Sequence, residues 1–335
     1  MHFIDLKRQF AQIHTSVRSR IEAVLEHGEY ILGPEVFELE NALAAYVGVK
    51  HCITCASGTD ALLLSLMAHT VKPGDAIFTS PFTFMATAEV IALLGATPVF
   101  VDIDPDTYNI DPAALEERIV ALTKTHPSLR PRGIIAVDLF GVPADYETIN
   151  ALAHDYSLFV IEDGAQSFGA SVNGRKACSL ASIAATSFFP AKPLGCYGDG
   201  GAVFTDDDAL AQTITSLRVH GKGLDKYDNI RIGINGRLDT LQAAVLLAKL
   251  EVFPQELAAR QVVARRYDDL LRPHVVVPRV PAGLQSAWAQ YSLQTELRDA
   301  VLARLRKAGV PSAIYYPLPL HLQKAFSYLG YRPGS

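Results

Sequence analysis

The sequence predicts an α/β protein: a large domain on a mostly parallel, doubly wound sheet, followed by a smaller α/β domain at the C-terminal end. Three observations carry this. Short β-branched runs, Pro98-Val99-Phe100-Val101-Asp102, Gly133-Ile134-Ile135-Ala136-Val137-Asp138 and Leu158-Phe159-Val160-Ile161-Glu162-Asp163, read as strands. They are apolar almost without interruption, as strands covered on both faces are. Helical patterns at 60–67 and 144–155 fall between such runs, so the connections are crossovers and ligand-binding residues gather at the carboxyl ends of the strands.

The chain has 335 residues, enough for about two domains, and the expected division is a large domain at 1–250 and a small one at 251–335. Turns at 72–75 and 102–105 punctuate the first part. A long helical pattern runs from 240 to 271 and is expected to break at Pro254, which has no N–H to donate. Beyond it the pattern predicts strands at 275–277 and 291–295, a helix at 299–308 and a strand at 312–316.

Composition excludes several classes. Thirty basic against thirty-five acidic residues give −5, with no basic run to track a phosphodiester backbone, so nucleic acid is not expected as a partner. No unbroken apolar stretch approaches the roughly 18 residues of a membrane span. The opening Met1-His2-Phe3-Ile4-Asp5-Leu6-Lys7-Arg8 is charged where a signal peptide is apolar, which predicts a cytoplasmic protein. Cys52 and Cys55 form a CxxC, readable as a redox pair, but the stronger reading is two small apolar side chains at the end of a buried strand. Cys178 and Cys196 have no metal-ligand spacing, and no metal is expected.

Chemistry concentrates in three places. Ser57-Gly58-Thr59-Asp60 joins a strand to a helix, where free N–H groups and hydroxyls favour a phosphate; taken alone it is also an ordinary N-cap turn. Asp163 closes an apolar strand, so its carboxylate either faces a permanent cation at the edge of the sheet or caps the segment that follows. Lys192 stands alone in Ser187-Phe188-Phe189-Pro190-Ala191-Lys192-Pro193-Leu194-Gly195; unless it is a surface lysine, desolvation there lowers its pKa and readies the amine for Schiff-base chemistry.

A phosphate turn, a carboxylate and a reactive lysine are what pyridoxal phosphate requires of a protein. Over residues 3–323 the sequence resembles the sugar-nucleotide aminotransferases of the fold-type-I pyridoxal-phosphate class. The motifs are Glu29-Tyr30-Ile31-Leu32-Gly33-Pro34-Glu35, Ser57-Gly58-Thr59-Asp60-Ala61-Leu62, Pro81-Phe82-Thr83-Phe84, Glu162-Asp163-Gly164-Ala165-Gln166-Ser167 and Gly198-Asp199-Gly200-Gly201-Ala202. The resemblance implies that Lys192 binds the cofactor covalently and later shuttles a proton, and that Asp163 keeps the pyridine nitrogen protonated. It also implies that Phe84 stacks on the ring, that Gln166 bonds its 3-oxygen, and that Gly58, Thr59 and Ser187 hold the phosphate.

The resemblance further implies a homodimer with shared active sites. The segment Gly233-Ile234-Asn235-Gly236-Arg237-Leu238 matches a hairpin that reaches the neighbouring subunit, with Asn235 at the partner's phosphate and Arg237 at a substrate carboxylate. The plainer role for Arg237 is an interface salt bridge with Asp239, which also needs a dimer. The implied reaction is ping-pong, from L-glutamate to a keto sugar nucleotide. The stretches Lys222-Gly223-Leu224-Asp225-Lys226-Tyr227-Asp228-Asn229-Ile230-Arg231 and Asn235-Gly236-Arg237-Leu238-Asp239-Thr240 resemble members that aminate UDP-2-acetamido-2-deoxy-3-oxo-glucuronate at C3. Arg237 is then expected at the sugar carboxylate, with Tyr315, Tyr316 and His321 lining the wall.

Relatives often carry a histidine where this chain has Tyr315, and usually continue past Ser335 into one more helix, so a truncated small domain is the expectation. The nearest alternative is C3 or C4 amination of a dTDP- or UDP-linked 6-deoxy keto sugar. A pyridoxamine-dependent dehydratase replaces the lysine by histidine, and a non-catalytic sugar-nucleotide sensor is expected to lose Asp163 or Lys192; this chain keeps both.

Overall fold

The computed structural model describes residues 3–225 and 227–335. Met1 and His2, which opened the argument against a signal peptide, and Lys226 of the 222–231 stretch lie outside the described residues. Two helices, α1 (Leu6–His27) and α2 (Pro34–Val47), precede the first strand, β1 (His51–Cys55). Then α3 (Gly58–Ala68), β2 (Asp75–Thr79), α4 (Ala86–Leu93), β3 (Thr97–Phe100), α5 (Pro112–Thr125), β4 (Arg130–Val137), α6 (Tyr146–Asp155) and β5 (Phe159–Asp163) alternate as the sequence predicts. A two-residue hairpin, β6 (Ser171–Val172) and β7 (Arg175–Lys176), leads to β8 (Ile183–Ser187), β9 (Gly201–Thr205) and α7 (Asp208–Leu217). The remainder holds α8 (Thr240–Leu271), β10 (Leu284–Gln285) and α9 (Arg298–Lys307).

The central sheet has seven strands in the order β1-β9-β8-β5-β4-β2-β3. From β3 across to β8 every pairing is parallel; β9 alone runs the other way, antiparallel to both β8 and β1. The carboxyl ends of β1, β2, β4, β5 and β8 therefore share one edge. Burial explains the apolar runs: every residue of β2 and β9, and the last four of β5, is inaccessible to solvent. One layer of core packs Leu62, Leu64, Val90 and Ile214 against the sheet, and the other packs Leu39, Leu43, Leu246 and Phe253.

Helix α8 differs from its sequence reading. Pro254 lies inside an unbroken 32-residue helix rather than at a break. A proline in a helix interior costs about 3 kcal/mol, and here its ring faces solvent while Phe253 and Leu257 are buried on either side, at about 1.5–3 kcal/mol each. The helix also carries the chain past residue 250 without interruption, so the expected division at 250/251 falls within one element.

Beyond α8 the predicted strands are largely unformed. The segments at 275–277 and 291–295 meet in a single antiparallel bridge, Val276 with Gln294, and 312–316 is irregular. A lone pair of strands is marginal without a third to extend the ladder. The strand that does form, β10, pairs with β6 beside the large sheet.

Candidate active site

At the shared edge the turn from β1 into α3 comes first. Ser57 caps α3, its hydroxyl accepting the Asp60 N–H at 3.0 Å. The N–H groups of Gly58 and Thr59 find no acceptor among the described residues, leaving two donors and a helix N-terminus for an anion. Close approach explains the glycines: a Cβ on Gly58 meets Ser187 Cβ at 2.6 Å, and one on Gly201 meets the Ser57 carbonyl at 2.3 Å. The end of β8 is thereby pressed onto the turn. Ser187 Oγ accepts the Phe189 N–H at 3.2 Å, which leaves its own proton free to donate.

Asp163 ends β5 and is buried. Thr87 Oγ1 donates to its Oδ2 at 2.9 Å, and the Ala165 N–H reaches Oδ1 at 3.3 Å. Burial raises its pKa, and Thr87, Lys192 and the Ala165 N–H pull it back. Lys192 shows the reverse: burial lowers its pKa and the Asp163 charge opposes that. The half-buried amine and the buried carboxylate are thus close enough for each to moderate the other's desolvation.

Gln166, three residues after Asp163, is buried; its Oε1 accepts the Phe140 N–H at 2.8 Å and its Nε2 donates to Tyr316 Oη at 3.2 Å. Tyr316 also meets the Phe82 ring edge-on, with centroids 5.7 Å apart, while Tyr315 packs against Phe140. The C-terminal segment therefore closes over the same edge. Burial pushes the Tyr316 hydroxyl up to about 12, so it stays a phenol. Phe84 stands 59% exposed, a bare aromatic face in the loop that leads into α4.

Asn235 and Arg237 belong to a segment rooted beside the phosphate turn: Ala56 N–H donates to the Gly236 carbonyl and Gly236 N–H to that of Arg218. The Asn235 side chain is exposed. Arg237 Nε is buried and finds no acceptor among the described residues.

His321 departs from its expected place. Its ring lies beside Phe100 and Tyr331, at 6.3 and 6.0 Å, on a cavity with Asp102 and Arg118 that neither Tyr315 nor Tyr316 lines. The Leu320 N–H bonds the Pro81 carbonyl, and that anchor turns the next side chain away from Phe82. The CxxC thiols are free, and burial pushes both up, which suits small core residues and not a redox pair. No group of residues with metal-ligand character occurs among the described residues, and no helix among them is long and apolar enough to cross a membrane.

Thr87 is the contact the sequence reading missed. It lies in the first turn of α4, four residues after Thr83 in the preceding loop, and the two hydroxyls bond at 3.1 Å; a threonine four residues beyond the one in Pro81-Phe82-Thr83-Phe84 was the available signal.

The profile of the DegT/DnrJ/EryC1/StrS aminotransferase family matches residues 11–334. The chain belongs to that family. It is 53% identical over 326 residues to the UDP-2-acetamido-2-deoxy-3-oxo-D-glucuronate aminotransferase of Pseudomonas aeruginosa, covering 97% of this chain and 88% of that protein. A DegT/DnrJ/EryC1/StrS aminotransferase from Brucella abortus superposes with a TM-score of 0.96 at 53% identity, covering 98% of this chain and 88% of the other. NtdA from Bacillus subtilis, solved with bound PMP, superposes at 0.86 with 29% identity, covering 96% and 74%.

This member of the family is accordingly an aminotransferase with pyridoxal phosphate as cofactor. Its own residues fit that group. Two unpaired N–H groups and a free hydroxyl proton suit a phosphate, and the Thr87-held carboxylate suits a ring nitrogen. The desolvated amine of Lys192 suits an aldehyde.

Proposed function

We propose that this aminotransferase moves the amino group of L-glutamate to C3 of UDP-2-acetamido-2-deoxy-3-oxo-glucuronate, as a homodimer with shared active sites. The observation that carries the reading is the 53% identity, over nearly the whole chain, to the Pseudomonas aeruginosa enzyme named for that sugar. Arg237 supports it locally: a buried guanidinium nitrogen without an acceptor is matched by a substrate carboxylate, which a uronate has and a 6-deoxy sugar lacks.

Each role is the one the resemblance implies, supported by the side chains' placement. Gly58, Thr59 and Ser187 hold the phosphate, with Asn235 of the neighbouring subunit beside them. Asp163, kept charged by Thr87, holds a proton on the pyridine nitrogen, and Phe84 stacks on the ring. Gln166 has one Nε2 proton left to donate to the 3-oxygen after bonding Tyr316. Pyridoxal phosphate, when bound, supplies the electron sink. Lys192, its pKa lowered by burial, takes the α-proton of the amino donor and returns it on the far side of the transfer. Tyr315 and Tyr316 wall the sugar site.

The dimer has its own support. Leu224, Tyr227 and Ile232 are 97%, 86% and 90% exposed in the segment that precedes Asn235, a patch of apolar surface that a second copy would cover.

The substrate is tested by comparing kcat/KM for the 3-oxo uronate nucleotide with that for dTDP- and UDP-linked 4-oxo-6-deoxy sugars. A preference of roughly 100-fold for the uronate is expected, since the half-buried Arg237, with its buried Nε unmatched, gains a charge-assisted partner only from the uronate. A preference for the 6-deoxy sugar overturns the assignment.

A further inference from the structure

On the face of β5 opposite Asp163 lies an acidic pair that the chemistry above does not use. Asp138 and Glu162 are both completely buried. Glu162 accepts the Cys178 N–H on Oε1 at 2.5 Å and the Leu180 N–H on Oε2 at 2.8 Å. Asp138 Oδ1 accepts the Ala144 N–H at 3.0 Å and Tyr146 Oη at 2.8 Å, while its Oδ2 accepts Ser167 Oγ at 2.6 Å. Ala136 pairs with Glu162 across β4 and β5, and Asp138 stands two residues further on, so both carboxyls lie on the same face of the sheet. Two ionised carboxylates side by side in a buried site repel, and one proton between them removes that repulsion. No Lys, Arg or His among the described residues forms an ion pair with either. Two bare charges here would be uncompensated, and one charge with five donors and a shared proton is not.

We infer that Asp138 and Glu162 hold one proton between them through the enzyme's working range and so lock the turn that carries Asp163 and Gln166. The lock has three points. Ser167, next to Gln166, is tied to Asp138; the Asp138 N–H donates to the Asp163 carbonyl at 3.1 Å; and Phe140, two residues beyond Asp138, donates to Gln166. The inference rests on the cofactor contacts proposed for Asp163 and Gln166, but its first readout does not.

The groups that face the pair agree with it. Tyr146 from α6 and Cys178 from the segment before β8 are both pushed up by burial and stay neutral. Burial raises both carboxyls, which favours a proton held by the pair. Asp163 lies across the strand, where a second negative charge would favour its protonated form. Asp138 and Glu162 are positioning residues; neither reaches the cleft.

Asp138→Asn separates the proton from the geometry. Its Oδ1 still accepts from Ala144 and Tyr146, and its Nδ2 has two protons, one for an ionised Glu162 and one for Ser167 Oγ, so the tie to Ser167 is kept with its direction reversed and no shared proton is needed. In the purified holoenzyme near pH 8, the infrared C=O stretch of a protonated carboxyl, shifted in D2O, is expected in the wild type and absent from Asp138→Asn, with kcat within about threefold. A wild type without that band, or a variant that keeps it, overturns the shared proton.

Ser167→Ala tests the lock while leaving both carboxyl groups in place. The band should persist while kcat falls about 3- to 10-fold at nearly constant KM, the loss of one hydrogen bond that orders Gln166. Unchanged turnover in Ser167→Ala, or loss in Asp138→Asn as deep as in Asp138→Leu, overturns the positioning role. Inactivity of every form on the 3-oxo uronate would instead strike the substrate assignment and leave the infrared result standing.

Discussion

Thr87 and Asp163 are joined by a 2.9 Å hydrogen bond from the threonine hydroxyl to Oδ2, which fixes the carboxylate from the helix α4 rather than from its own strand. That bond favours the ionised form against the burial that raises its pKa. Thr87→Val keeps the shape and removes the donor. A hydrogen bond to a charged group is worth about 1.5–3 kcal/mol, so kcat should fall roughly 10- to 100-fold and cofactor affinity should drop. Steady-state kinetics and cofactor titration measure both. Unaltered values would mean that Asp163 is held charged by something else.

Lys192→Ala should remain folded, since its side chain makes no hydrogen bond among the described residues, and should lose turnover by about four orders of magnitude or more. Circular dichroism establishes the fold and a coupled glutamate assay the rate. A variant with half the wild-type turnover would remove Lys192 from the chemistry.

How far the sequence carried these conclusions depended on where the determining contacts lay. The runs ending at Asp138 and Asp163 were legible because strands covered on both faces must be apolar throughout, whatever covers them. Ser57-Gly58-Thr59 was legible because a helix start has a local signature. Thr87, by contrast, meets Asp163 across 76 residues of chain, and its spacing from Thr83 marks a polar cluster without naming that partner. His321 was misplaced for the same reason: the Leu320–Pro81 bond that turns it toward Phe100 is set by tertiary packing. Pro254 was read by its local rule, and burial of Phe253 and Leu257 outweighed that rule.

His69 makes stability pH-dependent. Its ring stacks on Phe159 with centroids 4.1 Å apart, and burial, aided by Arg132, lowers its pKa to about 4. The unfolded chain binds the proton more readily, so between about pH 6.5 and 4 stability falls as pH falls; above 6.5 the contribution is complete. Allowing for partial exposure, the loss is about 1–2 kcal/mol, a few degrees in Tm. His69→Leu should flatten the decline in Tm between pH 7 and 4.5. An unchanged slope would assign the acid sensitivity elsewhere.

The shared site is decided by mixing subunits. The root of the Asn235–Arg237 segment touches its own chain's phosphate turn, through Ala56 and Gly236, so the geometry of one chain leaves both destinations within reach. If Arg237 acts across the interface, a heterodimer of Lys192→Ala with Arg237→Ala combines both lesions in one site and leaves the other intact. If it acts within its own chain, each site carries one lesion and both are dead. Random re-pairing of the two inactive homodimers makes about half of the dimers mixed, so about one quarter of wild-type activity should return. Size-exclusion chromatography with differently tagged subunits verifies the exchange. Exchange without recovered activity places Arg237 in its own site and removes the main reason for sharing.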